Sequence, residues 1–243
     1  MEENRSVSPQ EAPAVASSAP PAAPAPAAPS PSKPAPSLWG QVLRVAWLSI
    51  VLGLVLEMVV LMIVAYSGNA GSTPKPFISD LAQKVSWGFI VCVGIAFGTT
   101  ASRAREALMG VLGLISAPAG FAIARATHKA VNEALDVAGP AAAGASPFLL
   151  GGLKGLEYAV LGFVIGWVGK KAWGGLGAHV TAGILIGLTF GSAILWVMEH
   201  YAQAPAPPVA LISRGVNELL FPLGCSLVLY ASGVMSKKLP LTP

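Results

Sequence analysis

The stretch VAWLSIVLGLVLEMVVLMIVAY (45–66) decides the fold: in 22 residues it carries one charged side chain, Glu57. About 20 apolar residues in helical form cross the hydrocarbon core of a bilayer. Working outward from it, five further apolar segments follow at about 85–100, 107–124, 148–168, 178–198 and 219–235. Gly/Pro-rich stretches such as SGNAGSTPKP (67–76), GPAAAGASP (139–147) and AQAPAPP (202–208) separate them. The expected fold is an all-α membrane protein of about six transmembrane helices, with Trp39 and Trp47 as interfacial anchors at the start of the first. The second and third segments are short and broken by Gly and Pro118, so one of them is a candidate re-entrant or tilted element. ARATHKAVNEALD (124–136), polar on one side, reads as a separate short helix lying at the interface.

Composition agrees. Of 243 residues, 54% are hydrophobic and 11% charged, against about 25% charged in an ordinary soluble domain. A soluble enzyme of this make-up is effectively excluded. Cys92 and Cys225 both fall in apolar runs and supply neither a disulfide framework nor a four-ligand zinc site. His128, His179 and His200 are scattered with no acid–His spacing, so no metal and no cofactor is expected, and His179 reads as an interfacial residue. The chain holds no HExxH, GxSxG, Walker A or strand-led GxGxxG motif, which argues against an enzyme. The formal charge of +4 comes from basic residues paired beside apolar segments, a topology signal rather than a nucleic-acid surface.

Residues 1–37 form an N-terminal tail without an apolar run. Between Ala12 and Pro36 it holds nine Pro and ten Ala in 25 residues, a composition that cannot bury a core and favours disordered, extended conformations. It reads as a solvated spacer, the sharper alternative being a docking tail for a proline-recognising protein partner. With six spans, nine basic residues fall on the side of the tail (Arg5, Lys33, Arg44, Arg103, Arg105 and the pairs 170–171 and 237–238). The other side holds six: Lys75, Lys84, Arg125, Lys129, Lys154 and Arg214. The positive-inside rule therefore places both termini in the cytoplasm, in a multi-pass inner-membrane protein.

The second half of the sequence resembles the first. LEMVVLMIV (56–64) aligns with LEYAVLGFV (156–164), GIAFGT (94–99) with GLTFGS (187–192), and Pro118 and Gly120 with Pro222 and Gly224. A three-helix duplication must insert its second copy upside down, giving an inverted 3+3 repeat. The domain organisation expected is the tail (1–37), a first half-repeat with the interfacial helix (38–138), and a second half-repeat (139–243).

The duplicated glutamates carry the chemistry. An acid at mid-membrane is costly unless it faces the bundle and has a partner, so Glu57 and Glu157 form a candidate ion or proton site in which two carboxylates share a proton or cation. Lys154, three residues before Glu157, is a candidate ion pair that would make the second acid structural. In ISRGVNELLFP (212–222), Arg214 and Glu218 have i, i+4 spacing and Asn217 adds an amide; the segment is a binding element at the outer mouth or a polar interface cap, ahead of a helix that Pro222 kinks or interrupts. Small-residue spacings at Gly94/Gly98, Gly162/Gly166 and Gly183/Gly187/Gly191 prepare flat faces for helix packing. The second and fifth segments are accordingly expected to cross near the pseudo-axis, homodimerisation or a narrow pore lining being the other uses of such faces.

Six spans in inverted halves, with a glutamate in the first and fourth, is a layout similar to aquaporins. Neither loop carries the paired Asn-Pro-Ala signature, and Arg214 is not preceded by it, so the similarity covers architecture and implies no water or glycerol conduction. The functional expectation is a small transporter or channel centred on Glu57 and Glu157, with the lipid bilayer as its surroundings. The alternative is a non-transporting scaffold subunit whose glutamates brace the bundle.

Overall fold

The computed structural model describes residues 38–67, 74–100, 103–137 and 144–238; the tail and the end of the C-terminus lie outside them, as do the expectations about them. Six helices account for the described chain: α1 (Leu38–Tyr66), α2 (Pro74–Phe97), α3 (Arg105–Ala134), α4 (Pro147–Val168), α5 (Leu176–His200) and α6 (Pro208–Lys238). All six are long and apolar enough to cross a membrane. The protein is an all-α, multi-pass membrane protein with bilayer lipid as its solvent. Large apolar side chains such as Trp39, Val51, Met62, Phe163, Leu185 and Trp196 face outward, as a lipid-facing surface requires.

The second and third segments are full-length helices, not re-entrant ones. α2 begins at Pro74, well before the apolar run, and α3 is unbroken for 30 residues. At 1.5 Å per residue α3 is about 45 Å long, against about 30 Å of hydrocarbon. Its last turns are the stretch expected to be a separate interfacial helix; they continue α3 instead, because nothing between Ala124 and Ala134 breaks the helix. Those turns pack on the start of α2, where His128 Nε2 lies 3.0 Å from Asp80 Oδ1. The helix stops where Asp136 takes the left-handed conformation (φ 53°). There the Val137 N–H donates to Asn132 O and the Asp136 N–H to Glu133 O, which is the Schellman arrangement with Asp in the usual glycine position. Pro222 likewise does not end α6, which runs through it.

Each helix packs on its neighbours in sequence and α6 returns to α1, closing a ring; α2 and α4 also touch α6 across the interior. Glycines set the close approaches. A Cβ at Gly94 would lie 2.5 Å from Ser116 Cβ, and one at Gly98, in the 3-10 turn that follows α2, would lie 2.6 Å from Met109 Cγ, so this glycine face meets α3. Gly183, Gly187 and Gly191 meet Leu223, Leu219 and Glu218 on α6, and Gly162 and Gly166 meet Met109 and Glu106 on α3. The expected crossing of α2 with α5 on these faces is therefore corrected: each glycine face is used by a ring neighbour. Some buried hydroxyls bond within their own helices, as when Ser49 donates to Ala46 O and Ser232 to Leu229 O, while Ser226 of α6 also donates to His179 O of α5. His179, in the first turn of α5, is buried between helices, its ring 5.0 Å from that of Tyr230.

Candidate functional site: a charged vestibule

Lys154 and Glu157 lie three residues apart and therefore on one face of α4. Lys154 Nζ donates to Glu157 Oε2 at 2.9 Å and also to Glu218 Oε2 on α6. On the opposite wall, Lys84 Nζ of α2 donates to Glu57 Oε2 of α1. Glu57 and Glu157 are 2% and 0% exposed, so neither acid meets lipid or solvent. The two glutamates singled out from the sequence do not share one proton or cation: each has its own lysine. The pair that does share a cation is Glu157 with Glu218, through Lys154. Arg214 does not pair with Glu218 either. It reaches Glu199 on α5 at 3.3 Å, because the buried Lys154 ammonium is a stronger partner for Glu218 than an exposed guanidinium.

Between these ion pairs lies a cavity of about 130 Å³. Its charged and polar walls are Gln83 and Lys84 of α2, Lys154 of α4, and Asn217 and Glu218 of α6. Its apolar walls are Trp87, Phe121, Ala124 and Phe221. The lining comes from the first half of α2, α4 and α6 and the second half of α3, so the cavity lies toward the end of the bundle that carries the α3–α4 connection. Trp87 is the hub of its apolar side. The Trp87 ring packs edge-on against Phe121, Tyr158 and Phe221 at 6.4, 5.5 and 6.3 Å. Lys154 Nζ lies 5.7 Å from the Trp87 ring centre and 5.9 Å from that of Tyr158, within cation–π range.

Further along the same helices the interior is apolar: Val91, Cys92, Ile95, Leu161, Cys225 and Val228 are all buried. Cys92 and Cys225 are buried there as free thiols. At the opposite end of the bundle, Gln41 bonds Thr99 and Lys170 pairs with Glu106 while donating to Arg103 O at 3.3 Å. That end is tied together by polar contacts between α1 and α2 and between α3 and α4.

The site is built from two ion-pair groups, Glu57 with Lys84 and Lys154 with Glu157 and Glu218. Two ammonium groups face three carboxylates, and Glu157 Oε1 and Asn217 Oδ1 are buried without a hydrogen-bond partner. Sequence reasoning found Glu57, Glu157, Lys154, Asn217 and Glu218 and missed Lys84, Gln83 and Trp87. Lys84 sits one position before the apolar run and was counted with the outer loop. The available signal was its i, i+3 spacing to Trp87, which places an ammonium and an aromatic ring on one helix face. No protein-family model, curated protein or solved structure matches the chain.

Proposed function

We propose that the protein is a small carrier, taking a polar solute into the vestibule formed by α2, α3, α4 and α6, with no covalent chemistry. One observation carries the proposal: a cavity inside a membrane bundle is lined by Lys84, Lys154 and Glu218, with Glu57 and Glu157 ion-paired to the two lysines behind its wall. A bundle needing only to hold together is served as well by apolar packing, and buried ion pairs are weak sources of stability. Intramembrane charges facing a cavity are the usual mark of a substrate or ion path. The network has one carboxylate more than it has ammonium groups, so a proton or monovalent cation accompanying the solute would balance it. The packed apolar interior beyond the cavity, with polar ties between helices at the opposite end, supports a carrier over an open channel.

Within this proposal the chain is an inverted 3+3 repeat in the inner membrane with cytoplasmic termini, and the vestibule opens to the outside. Support for the repeat comes from the ring: α3 against α4 and α6 against α1 are the two contacts that a pseudo-twofold would exchange. The scaffold alternative keeps one observation in its favour, since each of Glu57 and Glu157 is capped by a lysine.

The test is the purified full chain in liposomes, with uptake of protons, sodium and small polar solutes compared among wild type, Glu157→Gln and Glu218→Gln. Flux that is present in wild type and reduced in the variants supports the carrier. No flux above empty vesicles for any probe refutes it.

A further inference from the structure

We infer that the vestibule is shaped for a small zwitterion, a solute with an ammonium and a carboxylate a few bonds apart. This rests on the carrier reading and narrows it to a substrate class.

The hydrogen-bonding groups left over by the network set the class. A lysine ammonium has three N–H donors. Lys84 uses one on Glu57, and Lys154 uses two, on Glu157 and Glu218. Three N–H donors on two cationic side chains of the same cavity thus remain for a ligand. Unused acceptors stand beside them: Asn217 Oδ1, buried and without a partner, and Glu218, which gives only Oε2 to Lys154.

A simple anion would satisfy the lysines and leave Glu218 and Asn217 facing a like charge or nothing. A simple cation would balance the one excess carboxylate and leave the unused N–H donors of Lys84 and Lys154 unmet. A solute with both ends meets both sets, its carboxylate on Lys84 and its ammonium on Glu218 and Asn217. Charge-assisted bonds of this kind are the strong ones, and each unmet buried partner is penalised.

Size narrows the class further. The cavity, of about 130 Å³, suits a small solute such as a free amino acid with a short side chain. The rings of Trp87 and Phe121 provide an apolar wall for its carbon atoms.

The experiment is isothermal titration of the detergent-purified full chain with three probes: glycine, acetate and methylammonium. Glycine is expected to bind about tenfold or more tightly than either single-charge probe. Lys84→Met and Glu218→Gln are each expected to weaken glycine binding by about tenfold or more. Because both substitutions disturb buried ion pairs, Asn217→Ala, which removes an amide oxygen without a partner, serves as the variant that keeps the fold; it should weaken glycine binding several-fold at unchanged thermal stability. Acetate or methylammonium binding as tightly as glycine overturns the inference in favour of an anion or a cation site. No binding of glycine, or glycine binding unaffected by Asn217→Ala, also overturns it. Liposome flux separates this inference from the carrier reading. Glycine bound but not transported sinks the carrier alone, whereas transport of another solute without glycine binding sinks only the zwitterion.

Discussion

Lys154 on α4 reaches across the interior to Glu218 on α6, 64 positions along the chain, while holding Glu157 on its own helix. One ammonium thus ties two helices at the cavity wall and neutralises one of two neighbouring acids. Removing it leaves two buried carboxylates with no counter-ion. Loss of one partner from a buried ion pair costs about 3–5 kcal/mol. Lys154→Met is therefore expected to lower the thermal unfolding temperature in detergent markedly. The triple variant Lys154→Met/Glu157→Gln/Glu218→Gln, with no charge left to bury, should recover most of that loss. Equal instability of the single and triple variants would show that the charges are not what destabilises.

The Glu57–Lys84 pair between α1 and α2 separates transport from bracing. Glu57→Gln leaves the Lys84 ammonium uncompensated and Lys84→Met leaves the carboxylate. Each single change should destabilise, and the double variant should be nearer wild type, with a coupling energy of about 0.5–3 kcal/mol in a double-mutant cycle. If the pair only braces the bundle, the neutral double variant regains both stability and any flux. A carrier site instead gives a double variant that regains stability while flux stays low. Thermal unfolding and liposome uptake on the same four proteins decide between them.

The sequence carried the fold because a membrane helix is specified locally: 22 consecutive residues with one charge leave little else to form. Helix ends were less legible. Polar turns at both ends of α3 and at the start of α2 and α6 are stabilised by neighbouring helices rather than by their own hydropathy, as with His128 against Asp80. The acids of the site were legible as exceptions to an apolar rule, but their pairing was not. Which lysine faces Glu57 depends on how α2 is rotated against α1, and Arg214 lost Glu218 to a lysine 60 residues earlier in the chain. Spacing along one helix predicts a partner only where no better one is brought up from another.

Glycine positions that look alike in the sequence differ in what they touch. A Cβ at Gly162 would run into the Met109 carbonyl on α3, whereas a Cβ at Gly152 has open space around it, although both lie on α4. Gly162→Ala should cost about 1–3 kcal/mol by forcing α3 and α4 apart. Gly152→Ala should be neutral or stabilising by up to about 1 kcal/mol, the usual difference in helix propensity. Thermal stability by size-exclusion chromatography of both variants checks the α3–α4 contact; an intolerant Gly152 with a tolerant Gly162 would contradict this packing.

Orientation is open to a direct labelling test, because both native cysteines are buried at 1% exposure and should stay silent to a membrane-impermeant maleimide. New cysteines can therefore be introduced without replacing them. Lys129, near the exposed end of α3, is 79% exposed by side chain, and Ala172, in the α4–α5 connection, is exposed as well. Helix α4 lies between the two positions, so a single crossing by α4 puts them on opposite faces of the membrane. With cytoplasmic termini, Lys129→Cys should label in intact cells and Ala172→Cys only after the cells are opened. The reversed pattern would invert the protein and turn the vestibule toward the cytoplasm. Labelling of both positions in intact cells would mean that α4 does not cross the membrane, and the six-span arrangement would fall with it.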